Sequence, residues 1–560
     1  MKFISDEADS QAEHDFFKNF VTVGFLAGLL GLLFVSSLFV VPSYLFFHHL
    51  SISPWVFYLS LAVAIGSWLP VALLYGNTQM AGKAFLFFLI ALTASLALSL
   101  FYFDVSYDGQ AYHQEAVIQL ARGWNPVYET LHSGIESEKW SFLWNNHYPK
   151  AAEISEACFY KLAGRIESGK TINFLMIFSS FWIFLFALVG LRAIRLRWAA
   201  LLSSLAALNP VVICQSATFY LDGVQASFFL CLCALLCIFY FKPNKFLGVA
   251  LIAASLYFIN TKFTAVLTFG ILAAGFLAAA IFNQNRQVFK KALWIFVLSF
   301  VVGIFVTGYN PYVKNYLQKG HPFYPLMGEE KIDIMKGDRP FKLYPMNSVE
   351  RFLVSLFSES TIQMDSVKIK ISFFMKREEA AAFFYPDVRL AGFGPLFGGV
   401  FILTLALLIG GLKKFIQRKV FWILIFFVFV SVFLNPEAWW LRYVSQFWLV
   451  PVLALFISFS GRQTPVEKYL AIGTAFFMVL NVLLVAIPYV YGQTKASHAV
   501  RWELRELSRE AGPIKVNFNL FRSNRVRLEE YSIPYEEVRE SPKGAPVSFV
   551  GSEAKMWMNK

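Results

Sequence analysis

Charge is scarce in this chain. Only 15% of its 560 residues are Asp, Glu, Lys or Arg, and 57% are hydrophobic, whereas an average soluble domain carries about 25% charge. So apolar a composition excludes an ordinary soluble globule and puts most of the chain in lipid. Several catalytic signatures are missing too. No His-x-x-x-His or His-Glu-x-x-His spacing occurs, and Walker, Rossmann and nucleophile-elbow patterns are absent, which argues against direct use of a nucleotide. The five cysteines have neither metal-ligand spacing nor the look of a disulfide framework. Cys231, Cys233 and Cys237 share one apolar run and are read as small packing residues, as free cysteines usually are. There is no internal repeat and no inverted symmetry of the transporter kind.

Long apolar runs are abundant. About thirteen are suited to crossing a bilayer, beginning at 20–41 and ending at 469–491. The first follows a polar, acidic stretch without a small-residue cleavage site, so a retained helix is expected, not a signal peptide. The net charge of +13 lies in short clusters between runs: Arg192, Arg195 and Arg197; Lys242 and Lys245; Arg286, Lys290 and Lys291; Lys413, Lys414, Arg418 and Lys419; Arg462 and Lys468. All fall on one side if each run crosses once. That is a topology signal, not a nucleic-acid surface, and it predicts a cytoplasmic N-terminus and an extracytoplasmic tail.

The expected fold is therefore an all-α polytopic membrane protein. Its transmembrane domain spans 1–491, with outer loops at 103–170 and 310–390. A small C-terminal α/β unit follows over 492–560, its helical start at 498–511. Within the second loop, Phe352, Leu353, Leu356 and Phe357 stand at helical spacing, so 348–384 reads as an amphipathic helix on the membrane surface.

The densest chemistry opens the first loop, in Asp104-Val-Ser-Tyr-Asp108-Gly-Gln-Ala-Tyr112-His113. Asp104 and Asp108, four apart, share a face if helical. Asp108 suits a general base, with Gly109 letting a substrate approach the backbone. Asp104 assists, orients or ligates a divalent cation such as Mg or Mn. Asp222 sits in a short turn, where an acid facing lipid is costly; it faces a cavity, caps the next helix, or both. Lys150, Lys262 and Arg442 are isolated outer-side cations, suited either to a phosphate or to snorkelling toward headgroups. Tyr112, His113, His147 and Tyr324 complete the candidate substrate contacts.

Several short motifs, in order, carry a resemblance. They are Tyr107-Asp108-Gly-Gln-Ala-Tyr112 with Gly123-Trp-Asn-Pro126, His147-Tyr-Pro-Lys150, Leu221-Asp222-Gly223 and Asn260-Thr-Lys262. Asn310-Pro-Tyr, Gly320-His-Pro-Phe-Tyr-Pro325 and Arg442-Tyr443 follow. In that order they resemble the GT-C class of membrane glycosyltransferases, of the aminoarabinose transferase and protein O-mannosyltransferase type. Two departures stand out: Asp108-Gly109 replaces two adjacent acids, and Lys150 follows its proline.

The resemblance implies transfer of a sugar from a polyprenyl-phosphate donor to a glycan, lipid or protein acceptor. It places the reaction at the outer face of a bacterial inner membrane, by single displacement with inversion. Asp108 is then the base, Lys150, Lys262 and Arg442 meet the donor phosphate, and Asp222 positions the acceptor or assists the base. Membrane lipids are partners and nucleic acid is not. A secondary transporter or lipid flippase is the alternative, but it would place its ionisable residues midway along broken helices.

Overall fold

The computed structural model describes residues 2–133, 136–411, 419–510, 512–539, 542 and 545–557. Among them, nine helices are long and apolar enough to cross a membrane, and the remaining apolar runs meet shorter helices such as Leu196–Ala207, Lys245–Ile259 and Phe397–Gly410. The chain is a helical multi-pass membrane protein with a small C-terminal sheet, as expected. The run at 198–216 is broken at Asn209-Pro210, where the Asn209 side chain accepts from the Val211 amide and starts the separate helix Pro210–Gln215. The basic residues Lys413, Lys414 and Arg418 lie outside the described residues.

The first span, Phe17–Phe46, is the axis of the bundle: 89% of its most apolar window is buried. Gly24, Gly28 and Gly31 line one of its faces. A Cβ there would come within 2.0 Å of the Trp182 ring, 3.1 Å of the Ser179 carbonyl oxygen and 2.5 Å of Ser179 Oγ, respectively. The helix Thr171–Gly190 packs into that stripe, because where lipid supplies no hydrophobic drive, helices associate by close backbone approach.

Two expectations are corrected. The amphipathic helix predicted over 348–384 is broken into Ser348–Leu356 and the short Arg377–Ala382, and the first lies on protein. Phe352 packs edge-on against Phe433 and Phe447, and Leu356 is buried in the same core. The boundary drawn at 491/492 falls inside one unbroken helix, Pro465–Leu507. At 1.5 Å per residue a helix of 43 residues is about 65 Å long, roughly twice the hydrocarbon thickness. It is apolar enough in part to cross a membrane, and its C-terminal end packs against the appendage through Val500, Leu504 and Leu507.

The appendage pairs β1 (Ile514–Asn517) in parallel with β2 (Tyr535–Glu537) across the helix Asn524–Glu530, and antiparallel with β4 (Lys555–Trp557). β4 pairs in turn with β3 (Val547–Ser548). The parallel pair needs a crossover, and the Asn524–Glu530 helix supplies it. The core of this unit, with Val516, Phe518 and Leu528, is continuous with Phe103 and Ala111 of the first loop.

Candidate active site

The chain at Asp108 does not wind as an α-helix. Gly109–His113 form a π-turn closed by the Gln114 amide on the Gly109 carbonyl. This wider winding brings residues four and five apart onto one face, so Asp108, Tyr112 and His113 all reach the same cavity. His113 Nδ1 stands 2.7 Å from Glu153 Oε1, both side chains nearly fully buried. That contact orients the ring and leaves Nε2 as its other nitrogen.

Asp104 is not on that face, because residues 103–106 are not helical. Its carboxylate turns away from the cavity and accepts from the Ser106 amide (2.8 Å), the Phe219 amide (3.2 Å) and Gln114 Nε2 (3.2 Å). Burial pushes its carboxyl upward, against the pull of Lys170. Gly109 is also explained differently from the expectation. A Cβ at Gly109 would lie 2.0 Å from Asp104 Oδ2 and 2.3 Å from Ser106 Oγ. The group that approaches this glycine is thus the Asp104 carboxylate and not a substrate.

The other half of the site comes from far along the chain. Arg442 opens the Leu441–Trp448 turn, and its guanidinium stands 3.4 Å from Asp108, 3.6 Å from Asp222 and 3.4 Å from Asp387. Three rings surround it: Trp440 at 4.2 Å, Tyr220 at 4.8 Å and Tyr443 at 5.0 Å. A planar guanidinium suits such a slot, stacking on ring faces while its edges meet carboxylates. Asp222 does not cap its helix with its side chain. Its carboxylate accepts from Gln215 Nε2 (3.2 Å) and pairs with Lys262, whose ammonium lies 4.2 Å from the Tyr443 ring.

These groups enclose a cavity of about 600 Å³, of a size to hold a sugar and its phosphate. Trp140, Trp144 and Tyr148 continue its aromatic wall from Tyr112. The second long loop roofs it through Ile332–Lys336 and Asp338, and Asp338 is tied to Arg389 at 3.1 Å.

Four predicted residues lie elsewhere. Lys150 is not at the cavity wall. Its ammonium donates to the Tyr148 carbonyl (2.5 Å) and Asn310 Oδ1 (2.9 Å) and sits over Trp124, and burial lowers its pKa to about 7. His147 pairs with Asn315 at 2.7 Å and packs edge-on against Tyr324, so these two pin the loops to each other. Burial pushes His147 down to about 4, which keeps it neutral. With Asp104 these make four residues whose polar atoms or rings are taken up by the protein itself. Lys150→Met is expected to leave donor KM unchanged and to cost about 1–3 kcal/mol for the two acceptors it strands, read as a loss of thermal stability.

Asp387 was not singled out in the sequence, where it sits in a loop of mixed charge. The hint available was its place in Asp387-Val-Arg389, two residues before a cation. Burial raises its carboxyl to about 6 in spite of Arg442. A raised acid binds more protons folded than unfolded, so its contribution to stability is complete near pH 4 and falls as pH rises to about 6. Asp387→Asn is expected to flatten the thermal-stability profile over that interval; an unchanged slope would count against this placement.

A shared divalent ion does not fit the predicted Asp104–Asp108 pair. Asp104 has both oxygens engaged by protein donors, and the cation between the cavity carboxylates is Arg442 itself.

The fold and the cavity define a polytopic helical membrane protein with an acid- and arginine-lined chamber where its loops meet. In comparisons with known proteins, no family model and no curated protein matches the chain. Among solved structures it is similar to the crystal structure of ArnT from Cupriavidus metallidurans bound to undecaprenyl phosphate. The two share 14% identity with a TM-score of 0.46, over 82% of this chain and 86% of that one.

Proposed function

We propose that this protein is a glycosyltransferase that moves a pentosyl or hexosyl group from a polyprenyl-phosphate donor to a glycan, lipid or protein acceptor. It works at the outer face of a bacterial inner membrane, with inversion. The observation that carries the reading is the gathering of Asp108, Asp222, Lys262 and Arg442, from four separate segments, around one cavity.

In this mechanism Asp108 takes the proton of the acceptor hydroxyl as its oxygen attacks the anomeric carbon from the side opposite the phosphate. The bond between that carbon and the phosphate oxygen breaks, and the electron pair leaves with polyprenyl phosphate. Arg442 and Lys262 meet the charge that develops there, and preorganised donors at such a position are worth about 3–4 kcal/mol each. Asp387, whose carboxyl burial pushes up to about 6, gives up its share of the guanidinium when the donor phosphate arrives. Asp222 holds Lys262 in place, and the aromatic wall offers flat faces to sugar rings.

The test is purified protein in liposomes with polyprenyl-phosphate pentose and hexose donors and an envelope extract as acceptor. Release of polyprenyl phosphate with acceptor labelling is expected. No release from any donor would overturn the reading.

A further inference from the structure

The π-turn that carries Asp108 has two sides, and only one faces the cavity. The other is covered by the C-terminal appendage. Gln110 makes three hydrogen bonds to it: its Nε2 donates to the Gly551 carbonyl (2.6 Å), its Oε1 accepts from Asn524 Nδ2 (2.8 Å), and its backbone carbonyl accepts from Ser523 Oγ (2.7 Å). On one flank, Glu115 is gripped bidentately by Arg525 at 2.6 and 2.9 Å, with both side chains about 5% exposed or less. On the other, Arg527 donates to the Asp104 carbonyl (2.6 Å) and to Glu167, whose carboxylate accepts from the Asp104 amide at 3.2 Å. The residues before, within and after the turn are thus each fixed from the same side by a segment some 400 positions later in sequence.

We infer that Asn524, Arg525 and Arg527 are positioning residues for the reaction: they hold Asp108, Tyr112 and His113 at the cavity by pinning the far side of the turn. A π-turn is a rare winding; the chain enters it from the non-helical stretch 103–106 through one short helical step at 107–108 and leaves it as an α-helix. A charge-assisted bidentate pair, among the strongest polar contacts a protein makes, stands at its Glu115 end, and at the other the Arg527 guanidinium donates to the Asp104 carbonyl. The role in catalysis rests on the transferase reading; the pinning itself does not.

The full-length chain is tested with Asn524→Asp, which sets an acceptor against Gln110 Oε1 and, if the Gln110 amide flips, sets Gln110 Oε1 against the Gly551 carbonyl instead. Asn524→Ala is the milder partner, and Arg525→Met is compared with Arg525→Lys. Hydrogen exchange over 104–115 is the readout independent of activity. Asn524→Asp and Arg525→Met are expected to lose protection there while the helix Asp222–Phe241 keeps its own, with Asn524→Ala and Arg525→Lys, which keeps the charge but not the fork, intermediate. In transfer assays kcat is expected to fall about 10²-fold, the scale for a misplacement near 1 Å, with donor KM within about twofold. Unchanged protection over 104–115 overturns the inference, and so does a uniform loss of protection across the whole chain. If the wild type transfers no sugar, the transferase reading fails while the exchange result still decides the pinning.

Discussion

Asp108→Asn is expected to lower transfer by about 10²- to 10⁴-fold, the range a general base supplies, with the protein still folded and still binding donor. The amide keeps the shape of the carboxylate and can still accept from Arg442, which stands 3.4 Å away. What it loses is the capacity to take a proton. Single-turnover release of polyprenyl phosphate from preloaded enzyme separates the two effects: chemistry slows and donor retention does not. A variant with wild-type turnover would remove Asp108 from the mechanism and shift attention to His113, whose Nδ1 is already committed to Glu153.

Arg442 has the second large effect, of a different kind. Its removal leaves Asp108, Asp222 and Asp387 facing one another, with Lys262 holding only Asp222. Breaking a buried charge cluster from one side costs about 3–5 kcal/mol, because the partners stay behind unpaired. Arg442→Met is therefore expected to destabilise the protein and abolish donor binding. Arg442→Lys restores the charge but neither the plane that stacks among Trp440, Tyr220 and Tyr443 nor the fork that reaches three carboxylates. It should recover most of the stability and still lose about 10²-fold in kcat/KM. A lysine variant equal to wild type in both would show that only the charge matters at this position.

Four of the predicted residues that the structure brings to the cavity, beside Tyr112 and His113, share a physical trait. Asp108, Asp222, Lys262 and Arg442 are ionisable groups at the ends of apolar runs, where charge is costly unless something requires it. Lys150 has the same outward signature, yet its ammonium is spent on Asn310, 160 residues away. Nothing local distinguishes a cation that waits for a phosphate from one that ties two loops together. Asp104 was misplaced for a related reason: the four-residue spacing implies a shared face only if the intervening chain is helical, and Val105-Ser106 is not. Asp387 was hidden by its setting in a loop where acids and bases alternate. Arg525 and Arg527 stand in a polar tail where no motif marks them, and both are buried.

Composition and the order of apolar runs by themselves determined that this is a helical membrane protein with two long loops and a small tail, since lipid leaves backbone polar groups few other ways to be satisfied. Short-range spacing also determined which ionisable residues stand at run ends. Only the tertiary structure decided which of them meet, because ion pairing among Asp108, Asp222, Asp387 and Arg442 spans over 300 positions and depends on how the helices pack. It likewise decided that the tail backs the π-turn beside Asp108, a contact made by side chains whose partners no local pattern encodes.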